Sequence, residues 1–136
     1  MAQPEDFDDF MRRRAQAALA YVNGDFAPLG GLVPRQGEAS FFGPGGGSVR
    51  GAGAVAARYE TDARHFEAGS ENQLDIIQSG ADGDLGFWTG FQNARVRLRG
   101  KPEPVAMRLR VTEIFRRGPD GWTMVHRHAD MLAEAK

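Results

Sequence analysis

The stretch Leu109–Asp130, LRVTEIFRRGPDGWTMVHRHAD, decides the fold. Two long runs of alternating and apolar residues flank Gly118-Pro119-Asp120-Gly121, a sequence built for a reversal. Side chains on a strand alternate between faces. The first run therefore puts Leu109, Val111, Glu113 and Phe115 on one side and Arg108, Arg110, Thr112 and Ile114 on the other. In the second run His126 and His128 share a side with Trp122, Met124 and Asp130. This reads as an antiparallel hairpin.

Two further strand-like stretches precede the hairpin after Gly69, QLDIIQS and DLGFWTGFQNARVRLRG, with turns at Asp82-Gly83 and Gly100-Lys101-Pro102. Upstream of Gly69 the periodicity changes. From Pro4 to Asn23 a helical stripe runs through Phe7, Phe10, Met11, Ala18, Tyr21 and Val22, with Arg14 as its lone break. Asp25 is placed to cap a second, short helix ending at Gly30-Gly31. EASFF (Glu38–Phe42) is a brief strand, and GPGGGSVRGAG leads into a third helix over 52–68 with Val55, Tyr59, Ala63 and Phe66 on its buried face. Helices followed by a meander of long strands predict an α+β fold. The expected form is a conical barrel, a curved mixed or antiparallel sheet wrapped around the N-terminal helical layer, over one domain spanning residues 1–136. The mouth of such a cone is a natural place for a small molecule.

The 136 residues carry 17 basic and 18 acidic side chains. That balance leaves no field to recruit nucleic acid or anionic lipid, so neither is expected as a partner. Without cysteine, thiol nucleophiles, disulfides and Cys-based zinc sites are excluded. No run of apolar residues is long enough to span a membrane. The opening MAQPEDFDDF is acidic rather than leader-like, so a cytoplasmic location is expected.

The hairpin Leu109–Asp130 resembles the C-terminal hairpin of SnoaL-like proteins, members of the nuclear-transport-factor-2-like, or ketosteroid-isomerase-like, superfamily. YVNGDFAPL at the end of the first helix and FFGPGGGSVRGAGAVAARY before and into the third support the resemblance. It implies a conical α+β barrel, usually paired through the outer face of its sheet, so a homodimer is expected. Superfamily activities span isomerases, cyclases, dehydratases, epoxide hydrolases and non-catalytic assembly domains, and one fold hosting so many does not choose among them. The catalytic residues of ketosteroid isomerases map near Ala17, Phe42-Gly43 and Thr112, and none matches. Steroid isomerisation, which needs an aspartate base and a neutral acid or phenol at the oxyanion, is disfavoured.

The candidate catalytic group is His126, His128 and Asp130. An imidazole titrates nearest neutrality and suits proton transfer; equally, both rings could pack in a sheet interface. No third metal ligand is fixed by the spacing, so no metal and no cofactor is expected. Candidate ligand-binding residues are Tyr21, Tyr59, Trp88, Arg110, Thr112 and Arg127. The resemblance turns Thr112, and with it Arg110, inward. There Arg110 either binds a carboxylate or enolate, or pairs with Asp62, Glu67 or Glu113. The same register turns Val125 and Arg127 inward and the histidines outward, against the side favoured by Trp122 and Met124; a bulge would satisfy both. The glycine-rich loop lacks the residues of a phosphate-binding motif and reads as a turn. The expected function is binding of a small apolar molecule with a polar or anionic end, with proton-transfer chemistry (isomerisation, cyclisation or hydrolysis) if it is an enzyme. The alternative is a non-catalytic ligand-sensing or oligomerisation module.

Overall fold

The computed structural model describes residues 5–133; Pro4, expected to open the first helix, lies outside them. Helix α1 spans Phe7–Val22, and the Asp6 carboxylate caps it by accepting the Asp9 N–H at 2.7 Å. Its buried stripe is Phe10, Arg14, Ala17, Ala18 and Val22. Asp25 accepts the Ala27 N–H at 3.1 Å at the start of α2 (Ala27–Gly30), as its position suggested.

The glycine-rich loop turns back on itself. Strand β1 is Ser40–Phe42, shorter than Glu38–Phe42, and it pairs antiparallel with β2 (Ser48–Arg50), a strand the sequence did not suggest. Gly46, at φ 90°, makes the reversal between them with a backbone conformation that side chains resist. Helix α3 is Ala52–Ala63 and stops short of residue 68. Phe66 instead opens strand β3 (Phe66–Asp82), pairing with Leu98 and packing its ring 5.6 Å from that of Tyr21. The apolar spacing continued the helical stripe to Phe66, and tertiary packing overrode it.

Strands β4 (Leu85–Leu98), β5 (Val105–Gly118) and β6 (Gly121–Met131) complete a six-stranded sheet in the order β2-β1-β6-β5-β4-β3. Only β1 and β6 run parallel, so the sheet is mixed. Register shifts in β3–β4 and β5–β6 bend the sheet over α1. Phe10 meets Phe115 edge-on at 4.9 Å, and Phe7 meets Trp122 at 5.2 Å. These rings fill one end of the interior and leave the other open.

One bulge sets the site. Ile114 pairs with His126 but Phe115 pairs with Met124, leaving Val125 without a partner. Trp122 and Met124 therefore face the core on one side of the bulge, and Arg127 and Ala129 face it on the other. His126 and His128 face outward. Arg127 thus turns inward and the histidines outward, with Trp122 and Met124 still in the core. Val125, also expected inward, is instead the half-buried bulge residue outside the core. The expectation that Arg110 and Thr112 point inward is overturned: Leu109, Val111, Glu113 and Phe115 are the buried set of β5. Burying those apolar side chains fixes the parity of the strand, and the residues between them go outside.

Candidate functional site

A cavity of about 310 Å³ opens between α1, α3 and the inner face of β4–β6. Leu29, Phe41, Leu109 and Ala129 give it mainly apolar walls, and Tyr21 and Tyr59 stand in them. Asp62 and the exposed His65 lie at the mouth. At the inner end are Arg14, Arg127 and Gln92.

These inner groups are built around Glu113, which is wholly buried. Arg14 donates to it twice, Nε to Oε1 and Nη2 to Oε2, each at 2.8 Å. The fork of the guanidinium matches the carboxylate, which is the strongest geometry for such a pair. Trp88 Nε1 donates to Oε1 at 2.6 Å, and Arg127 Nη1 donates to Oε2. Arg127 Nη2 reaches Gln92 Oε1 at 2.8 Å, and Gln92 Nε2 in turn donates to Asn72 at 2.7 Å. Burial alone would push the Glu113 carboxyl up. The charges of Arg14 and Arg127 and the hydrogen bonds from Arg14 and Trp88 outweigh it and hold the group at about 2. Glu113 is therefore ionised and fully engaged.

Two features of this network are unspent. The Nη1 atom of Arg14 is buried without a hydrogen-bond partner among the described residues. Two guanidiniums also share one carboxylate, which leaves a positive charge uncompensated. Burial pushes the Tyr21 and Tyr59 phenols well up, so both remain protonated donors. Their rings meet at 6.5 Å, and both feel the charge of Arg14.

The other sequence candidates lie on the opposite side of the sheet. Arg110 is exposed and forks onto Asp130 at 2.7 and 2.8 Å, rather than onto Asp62, Glu67 or Glu113. Thr112 bonds the Thr89 hydroxyl at 3.0 Å, also outside. His126 Nδ1 lies 2.7 Å from Ser40 Oγ, and Phe42 packs edge-on against both imidazoles. Burial, then the neighbouring His128, lowers the affinity of His126 for a proton. His128 is 3.8 Å from Asp130, whose oxygens already serve Arg110. Arg110, Thr112, His128 and Asp130 line a shallow outer groove with Ile77 and Phe91. No wall of the inner cavity includes them. Trp88 is likewise not a lining residue; it works behind the cavity, fixing Glu113. Tyr21, Tyr59 and Arg127 do reach the cavity. Among the described residues no cluster of three metal-ligating acids or histidines assembles.

Sequence reasoning missed Arg14 as a site residue. The signal was present, because a guanidinium on the buried stripe of a helix must find a partner.

A domain model described as SnoaL-like matches residues 13–134. The chain belongs to the SnoaL-like family. No curated protein matches it. Among solved structures, it is similar to a candidate dehydratase of the NTF2-like family from Streptomyces avermitilis, with TM-score 0.75, 24% identity, and coverage of 92% of this chain and 94% of that one. It is similar to an NTF2-like superfamily protein from Salmonella enterica at TM-score 0.75 and 19% identity, covering 93% and 88%. The CaMKII hub of S. rosetta matches at TM-score 0.68 and 16% identity, covering 96% and 100%. At these identities the likeness establishes the SnoaL-like fold, a cone of helices on a curved sheet, and leaves the chemistry to the site.

Proposed function

We propose that this SnoaL-like cone binds a small, mainly apolar molecule, its polar or anionic end toward Arg127 and the two tyrosine hydroxyls. The observation that carries this reading is the cavity of about 310 Å³, apolar along its walls and polar at its inner end. Ligand sites share that division, and this one is at the small end of their range, roughly 300–1,000 Å³. Acid–base chemistry on such a ligand would fall to His65 at the mouth, since Asp62 is held by Arg58. Glu113 is fully engaged, and His126, His128 and Asp130 lie beyond the sheet.

The test is a thermal-shift screen of small amphiphilic compounds, since a ligand of the native state raises its melting temperature by mass action. Met107 is half-buried and lines the cavity, so Met107→Trp should fill the space without disturbing the deep core. Compounds that stabilise the wild type should lose their effect on this variant. Equal stabilisation of both proteins would place binding elsewhere.

A second reading concerns the outer face, which we propose pairs two copies of the chain. Phe42, Ile77 and Phe87 are 40%, 63% and 39% exposed, and Ile77 shares a groove with the Arg110–Asp130 pair. Apolar groups gathered on one sheet face favour an interface. Ile77→Glu should then lower the mass measured by light scattering to that of a monomer; a monomeric wild type would end this reading.

A further inference from the structure

We infer that the inner end of the cavity is a binding site for one negative charge, a carboxylate or enolate oxygen received by Nη1 of Arg14. The inference rests on the cavity being a ligand site, and it adds the class of ligand. Arg14 is 3% exposed and lines the cavity, yet Nη1 has no acceptor among the described residues. Its other two donor atoms are fixed on Glu113, so the guanidinium cannot turn to satisfy Nη1 without breaking the fork. A buried donor left unmade is costly, and a charged one more so.

The charge count agrees with the geometry. Among the described residues Arg14 and Arg127 share Glu113 alone at the inner end, while Asp62 at the mouth is occupied by Arg58 at 3.0 Å. One cationic charge therefore faces the cavity in a medium that screens it poorly. A monoanion neutralises it, a neutral ligand leaves it, and a dianion overshoots. Tyr21 and Tyr59 keep their phenolic protons and supply further donors from the cavity wall. Gln92, buried between Asn72 and Arg127, holds the second guanidinium in place. The ligand class is a small hydrophobic monocarboxylate, or a carbonyl compound that enolises.

Matched acid and amide pairs test this, namely phenylacetate with phenylacetamide and hexanoate with hexanamide, titrated by calorimetry into wild-type protein. The acids should bind about 10- to 100-fold more tightly than their amides, the span expected for a charge-assisted hydrogen bond in a buried site. In Arg14→Met, which leaves Glu113 paired with Arg127 and the inner end without net charge, the preference should vanish. Arg14→Lys, keeping the charge without the fork, should retain part of it. Acids and amides binding equally to the wild type would overturn the anion site and leave the cavity reading intact. If neither class binds, or acids bind Arg14→Met undiminished, the assignment to Arg14 fails, and in the first case the ligand cavity fails with it.

Discussion

Replacing Glu113 with glutamine should be among the most damaging isosteric changes available to this protein. The substitution removes one buried negative charge and almost no volume. It strands two guanidiniums, Arg14 with a side chain 3% exposed and Arg127 with one 12% exposed, in an interior that cannot solvate them. Breaking a buried pair in this way costs about 3–5 kcal/mol. For a chain of this size that corresponds to a fall in melting temperature of roughly 10–20 °C. The internal control is Asp130→Asn, which removes the partner of exposed Arg110 with the same chemistry on the solvent side. Its cost should be far smaller, because water screens the exposed pair and solvates the partner left behind. Urea denaturation of both variants gives the two numbers on one scale. Adding Arg14→Met to Glu113→Gln should recover part of the loss, because one of the two stranded charges is then gone. If Glu113→Gln costs no more than Asp130→Asn, the network around Glu113 is not the charged centre described here.

Acid should reveal the same network. The Glu113 carboxyl is held at about 2, below its ordinary value of 4.5, so its contribution is complete above pH 4.5 and is lost as pH falls toward 2. A displacement of that size corresponds to roughly 3 kcal/mol, and the acid-unfolding curve of Glu113→Gln should be flatter than wild type across that window. Deleting Val125 should abolish folding, judged by circular dichroism, because it removes the bulge and forces either Trp122 and Met124 or Arg127 and Ala129 to the wrong face; a folded deletion would show the bulge to be dispensable. Gly90→Ala should destabilise strongly, since a Cβ there would stand 2.1 Å from the Asp75 carbonyl oxygen, whereas a Cβ at Gly47 meets nothing within 4 Å. Equal melting temperatures for Gly90→Ala and Gly47→Ala would contradict the close approach of β3 to β4.

The long strands were legible in the sequence because alternation with period two leaves few other ways to bury their apolar residues. The conflict between Trp122 and Met124 on one side and Val125 and Arg127 on the other was legible too, and leaving Val125 unpaired resolves it for Arg127. The two faces of β5 were legible as well. The error over which one turns inward came from the resemblance, which sent Arg110 and Thr112 into the cone; the joint burial of Leu109, Val111 and Phe115 turns them out. Phe66 misled by its spacing: it continues the helical stripe of α3 on paper, but the open edge of β4 and the ring of Tyr21 draw it into β3. The partner of Arg14 stands 99 residues away in the chain, beyond any local spacing rule. Its position on a buried stripe announced that a partner existed without saying which.

A crystal structure of the protein soaked with phenylacetate tests the central claim most directly. The account predicts the carboxylate inside the cone, one oxygen within about 3 Å of Arg14 Nη1, with the ring against Phe41 and Leu109. Phenylacetate seated only in the outer groove beside Arg110, with the cavity filled by water or collapsed, would contradict it.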